Sequence, residues 1–283
     1  MIFRTTVAAL ATFVLAGTAH AQSAAEAFGD YASLSPAAAE KAISDFRGYR
    51  ANGDQRMRFT ITHAPRRGDE TSYTGELCAT WTDAGRLVRV EIGKAGEPAT
   101  ARKRFLLVDG ANPAVYTLSG YKVVRADAGA LKPLVPGLIF TPYDLQLPFT
   151  RWSDYKYRNT ERFRGRRTDY FNMKPPADFA KAHPEIGRVE LGFDHAYNAL
   201  MRATTYGADD RAMREISAET FGKIRGQWTI VEMRLRDEVT RDADTLRVDT
   251  AALGIALPRS VFSPDALADA LPVTPADKFE KAD

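Results

Sequence analysis

The chain has a single cysteine, Cys78, in 283 residues. An internal disulfide is therefore excluded, and the fold must rest on a packed core or a curled sheet. A lone cysteine in an apolar strand reads as a small buried hydrophobe. Histidine is also scarce: His20 lies in the leader, and His63, His183 and His195 stand in or beside turns without ligand spacing. There is no HExxH, CxxC or Cys/His cluster, so neither a metal site nor a cofactor is expected. No G-x-S-x-G elbow or GxxxxGK[ST] phosphate loop occurs. The carboxylate pairs Asp209/Asp210 and Asp242/Asp244 sit where aspartate commonly seeds turns. An envelope hydrolase thus has no selected residues, and a non-enzyme is expected. Charge of one sign is lacking too: 39 basic residues face 36 acidic ones. A polyanion binder is usually more lopsided, so nucleic acid is excluded as a partner.

Long apolar runs are missing except at the start. "MIFR" carries one positive charge, "TTVAALATFVLAG" is too short to span a bilayer, and "AHA" offers small residues at Ala19–Ala21. Residues 1–21 read as a signal peptide cut between Ala21 and Gln22, which sends the rest to the periplasm. Residues 22–34 are expected as a flexible lead-in, 35–272 as one domain and 273–283 as a flexible tail.

Ser35-Pro36 marks a helix start, Ala39, Ala42, Ile43 and Phe46 share one helical face, and Gly48 stops the helix. From Gln55 the period becomes two. Met57, Phe59 and Ile61 point one way, as do Leu77, Ala79 and Trp81, then Val88, Val90 and Ile92. Asp83-Ala84-Gly85 is a hairpin turn. Val189, Leu191 and Phe193 align later, and so do Val231, Met233 and Leu235. About ten or eleven strands result, mostly joined by hairpins. Residues 126–150 break the pattern with four prolines and many apolar side chains, and read as a long non-polar loop with room for one short helix. Pro175-Pro176 opens another loop, and Phe262-Ser263-Pro264 caps a short helix through Leu271. The fold class is mainly β: a single antiparallel sheet, too wide to stay flat, curling into a half-open barrel covered by a few helices.

Residues 149–171 hold seven basic and seven aromatic residues. Period two separates them. Tyr155 and Tyr157 share one strand face, Lys156 and Arg158 the other, and Arg164, Arg166 and Arg167 cluster round the hairpin tip at Gly165. A basic tip of this kind reads as a solvated turn able to touch an anionic headgroup or an acidic partner. Phe149 and Trp152 belong to the end of the apolar loop.

The stretches "TPYDLQLPFTRWSDYKYRNTERFRGRRTDYFNMKPP", "VELGFD", "TFGKIRGQWTIVEMRLRDE" and "RVDTAALGIALPRSVFSPDAL" resemble the LolA-like family, in its broad outer membrane lipoprotein-sorting branch. They carry a D-L pair before a W-x-x-Y-x-Y strand, an R-x-x-G-R hairpin, paired prolines, a K-I-x-G-x-W strand and a closing F-S-x-x-x-L. The resemblance implies a curved, incompletely closed sheet whose apolar cavity accepts acyl chains. It further implies a monomeric carrier for a lipoprotein or lipid, with an inner-membrane exporter as donor and an outer-membrane acceptor. The expected cavity residues are Phe59, Trp81, Val90, Trp152, Tyr157, Phe193 and Met233. The alternative is a non-catalytic envelope interaction module, accessory to a lipid exporter.

Overall fold

The computed structural model describes residues 32–110, 113–126 and 131–282. The expected signal peptide, its expected cleavage point at Ala21 and Gln22, and most of the expected lead-in lie outside them. Helix α1 spans Pro36–Gly48. Ser35 caps it by accepting from the Ala38 amide at 3.3 Å, and Pro36 opens it, where a missing N–H costs nothing. Ala39, Ile43 and Phe46 are its buried face.

Thirteen strands follow in one sheet. The first six are β1 (Asp54–Ala64), β2 (Thr71–Thr82), β3 (Gly85–Lys94), β4 (Lys103–Val108), β5 (Ala114–Ser119) and β6 (Lys122–Ala126). The others are β7 (Tyr155–Phe163), β8 (Arg166–Met173), β9 (Ile186–Asp194), β10 (Leu200–Gly207), β11 (Ala212–Ile224), β12 (Gln227–Asp237) and β13 (Ala243–Ile255). Sheet order is β6-β5-β4-β3-β2-β1-β13-β12-β11-β10-β9-β8-β7, antiparallel throughout. Every connection inside each half is between sheet neighbours, and β1 pairing β13 joins the halves. The sheet does not close: β6 and β7 are its two edges.

The inward faces of both halves form one core with α1 and with residues 134–152. That shared core requires a curled sheet, as expected. The sequence predicts a loop for the segment linking the two edges. It runs instead as a strap through the core, with Leu134, Leu138, Phe140, Tyr143, Leu145, Leu147 and Phe149 buried. It holds α2 (Pro142–Gln146), closed by a capping box between Thr141 and Asp144. Gly137 has φ +90°, and a Cβ there would lie 2.3 Å from the Tyr73 hydroxyl, which donates to Pro136 O at 3.0 Å. Only glycine fits the strap against β2 at that point.

Three further differences concern short elements. β6 carries no separate signal in the sequence, because five residues hold too little alternation to register. The paired-proline loop contains α3 (Ala177–Ala182). The C-terminal helix is two 3-10 turns, Arg259–Phe262 and Pro264–Ala266. These turns cover the outer face of β2 and β3, where Cys78 packs with Leu257, Val261 and Phe262. Burial pushes the Cys78 thiol up to about 12, so it is the inert hydrophobe expected. Beyond residue 273 the chain lies along β13, with Ala251 and Glu280 paired.

Candidate functional site

The cavity lies where the sheet fails to close. About 1130 Å³ opens between the β4–β5 turn, the end of β6, the last turn of the strap and α3. Its walls are apolar: Leu131, Pro148, Trp152, Pro176, Phe179 and Ala182. Phe179 stands between Trp152, with ring centroids 5.2 Å apart, and Tyr143, at 5.8 Å. The floor is polar, formed by Asp109, Gln146, Thr150 and Arg151. Arg125 and Lys132 stand on the β6 side, and Asp178, His183 and Glu185 on the α3 side.

Arginines fix the floor. Arg86 of β3, 3% exposed, pairs with Asp109 at 2.8 Å and donates to Leu145 O and Gln146 O at 3.1 Å. Those carbonyls end α2, where a cation is favoured. Arg47, in the last turn of α1, donates to Thr150 O at 2.9 Å and Trp152 O at 2.5 Å. Burial pushes the Asp109 carboxyl up against the pull of Arg86. Burial, then repulsion from Arg50, Arg86 and Arg47, lowers Arg151, with Asp109 opposing.

The middle of the strap is fixed by carboxylates instead. Asp244 of β13 is fully buried and accepts from Ile139 N and Phe140 N, both at 2.8 Å. Its other oxygen meets His63 Nδ1 at 2.7 Å. Asp144 of α2 accepts from Arg214 Nη2 of β11 at 2.7 Å, and the same nitrogen reaches Ile139 O at 2.8 Å. Burial raises both carboxyls, opposed by Arg214 at Asp144 and by His63 and the two amides at Asp244. Asp244 and His63, read as turn residues, are a buried tether. His195 likewise meets buried Asp169 at 2.7 Å, and Asp169 accepts from Thr160, which bonds Tyr157.

Of the seven expected cavity residues, Phe59, Val90, Phe193 and Met233 are packed in the core, and Trp81 and Tyr157 are half-buried against it. The Phe59 ring lies over Gly75 on β2, where a Cβ would sit 2.5 Å from it. Phe193 stacks on Phe46 at 4.7 Å and on Phe171 at 5.3 Å. Trp152 alone among the seven reaches the cavity. The arginines of the hairpin tip are engaged within the protein. Arg164 pairs with Glu219 at 2.5 Å, and Arg166 pairs with Asp194 and lies 4.7 Å over the Tyr197 ring. Arg167 also has an interaction partner. Sequence reasoning did not select Arg86, Asp109, Arg151 or Phe179. Arg151 sat among the seven basic residues without a periodic signal, and Phe179 lay in what read as a loop.

No family model and no curated protein matches the chain. Solved structures do. A proposed outer membrane lipoprotein-sorting protein domain from Vibrio parahaemolyticus is similar at TM-score 0.69 and 12% identity, over 81% of this chain and 99% of that one. A LolA superfamily protein from Nitrosomonas europaea is similar at TM-score 0.59 and 16% identity, over 81% and 99%. The fold is LolA-like. A DUF1329 family protein from Desulfovibrio piger shares this LolA-like architecture at TM-score 0.67 and 15% identity, over 82% and 98%. The resemblance read from the sequence thus holds at the level of the fold. Among the described residues, no helix is long and apolar enough to cross a membrane.

Proposed function

We propose that this protein is a periplasmic carrier for an acylated ligand, a lipoprotein or a lipid, whose chain lies in the cavity beside α3. The observation that carries the reading is the cavity itself: 1130 Å³ with walls of Trp152, Phe179, Leu131 and Ala182. Ligand pockets commonly measure roughly 300–1,000 Å³, so an acyl chain has room. Each methylene taken from water contributes about 0.8 kcal/mol, and such binding asks for no catalytic group. The LolA-like fold supports the same reading, and an inner-membrane exporter and an outer-membrane acceptor would be the donor and receiver.

The test is native mass spectrometry of protein purified from periplasm, followed by titration of the delipidated protein with a fluorescent fatty acid. A bound acyl species displaced by the probe, and loss of probe binding in Ala182→Trp with an unchanged circular dichroism spectrum, are expected. An empty protein that ignores the probe would overturn the reading.

One observation favours the interaction-module reading. β6 ends the sheet with Val124 43% exposed, and an edge strand can receive another. That reading predicts a partner lost on Val124→Pro, with probe binding unaffected.

A further inference from the structure

We propose that the cavity floor at Arg151 is an anion subsite, so that the ligand is an amphiphile with a phosphate- or carboxylate-class head. This rests on the acyl-binding reading above. Arg151, itself exposed to the open side, lines the cavity floor next to the buried Thr150 and Gln146. Among the described residues no hydrogen bond or ion pair commits its guanidinium, and its nearest charged neighbours act on it only at longer range. Its cationic neighbours are already engaged. Arg47 is held by Thr150 O and Trp152 O, Arg50 by Arg47 O and Tyr49 O, and Arg86 by Asp109 and two carbonyls. Asp109, the one carboxylate of the floor, is already paired with Arg86 and has only a longer-range attraction to Arg151.

The charge left over is positive, and it sits where the apolar wall ends. Arg125 and Lys132 add two more cations on the β6 side, neither in an ion pair among the described residues. The acids of the lining, Asp178 and Glu185, stand on the α3 side, where Glu185 faces His183 at 3.3 Å. A neutral head would leave Arg151 repelled by its neighbours. An anion would relieve that repulsion and take the planar fork of the guanidinium in two bonds. The apolar wall from Trp152 to Ala182 then receives the chain of the same molecule.

A matched series isolates the head: hexadecyl phosphate, hexadecanoate and hexadecanol, with inorganic phosphate as the head alone, each titrated into delipidated protein at low salt. The anionic chains should bind at least about tenfold tighter than the alcohol, as a charged hydrogen bond is worth that much or more. Added salt should narrow the ratio. Arg151→Gln should bring the ratio close to one, Arg151→Lys should keep part of it, and Arg234→Gln, on β12 away from the cavity, should leave it unchanged. Equal affinity for alcohol and phosphate in the wild type overturns the anion subsite and leaves acyl binding standing. A wild-type ratio that survives Arg151→Gln also overturns it. Inorganic phosphate binding as tightly as hexadecyl phosphate overturns the amphiphile. Failure of every chain to bind overturns the carrier reading as well.

Discussion

The strap meets two kinds of surroundings along its length. Residues 134–147 run through the core, where Phe140, Leu145 and Leu147 touch the inward faces of both sheet halves and two carboxylates tether them. Residues 148–152 bury Phe149 and Trp152 against the same core but run along the gap between the sheet edges, where Arg47 holds the Thr150 and Trp152 carbonyls and one side is open. The first region is filled and the second is not. A fold that curls its sheet around one strap has room for a ligand only where the edges stay apart. The middle of the strap therefore reads as structure, and its end as site.

The sharpest way to break that contrast is to cut into each region. Phe193→Ala removes a ring stacked on both sides in the core and should cost about 3–5 kcal/mol, read as a loss in denaturation midpoint. Arg214→Ala should rank beside it at about 3–5 kcal/mol, because Asp144 stays buried without its cation. Phe179→Ala, at the gap, should weaken acyl binding far more than it lowers the midpoint. If Phe193→Ala and Phe179→Ala affect stability and binding in the same proportion, the division fails.

The tethers also predict a pH signature. Burial raises the Asp144 and Asp244 carboxyls, so the folded state holds their protons more tightly than the unfolded chain, where they titrate near about 3.9. Their contribution to stability is full below that value and is lost as pH rises through the folded one. Asp144→Asn combined with Asp244→Asn should therefore flatten the fall in midpoint between pH 4 and pH 7. Parallel curves for the two proteins would contradict the assignment. The smallest effect belongs to the hairpin tip. Arg164→Ala breaks a half-exposed pair with Glu219 and should change stability by at most about 1 kcal/mol, seen by chemical denaturation.

The same contrast explains what was legible from residues alone. α1 was readable because Ser35-Pro36 and the Ala39, Ile43, Phe46 face are local signals. The tip at Arg164-Gly165 was readable because both residues take positive φ, 47° and 81°, as a two-residue hairpin turn demands. The facing of Phe59, Val90 and Met233 was readable from period two, but which wall stays empty was not. That depends on where the strap runs, and a segment buried all round shows no period. Asp144 and Asp244 looked like ordinary turn-formers, since their burial is set by strands far away in sequence. Arg151 looked like one more basic residue because its isolation from partners is a property of the assembled floor.

A photo-crosslinking fatty acid bound to the delipidated protein tests the central claim most directly, with the labelled peptides mapped by mass spectrometry. The account predicts label on residues 131–132, 148–153 and 176–185, and none on β1, β3 or β12. Label concentrated around Phe59, Val90 and Met233 would place the ligand in the core, against the strap, and would contradict it.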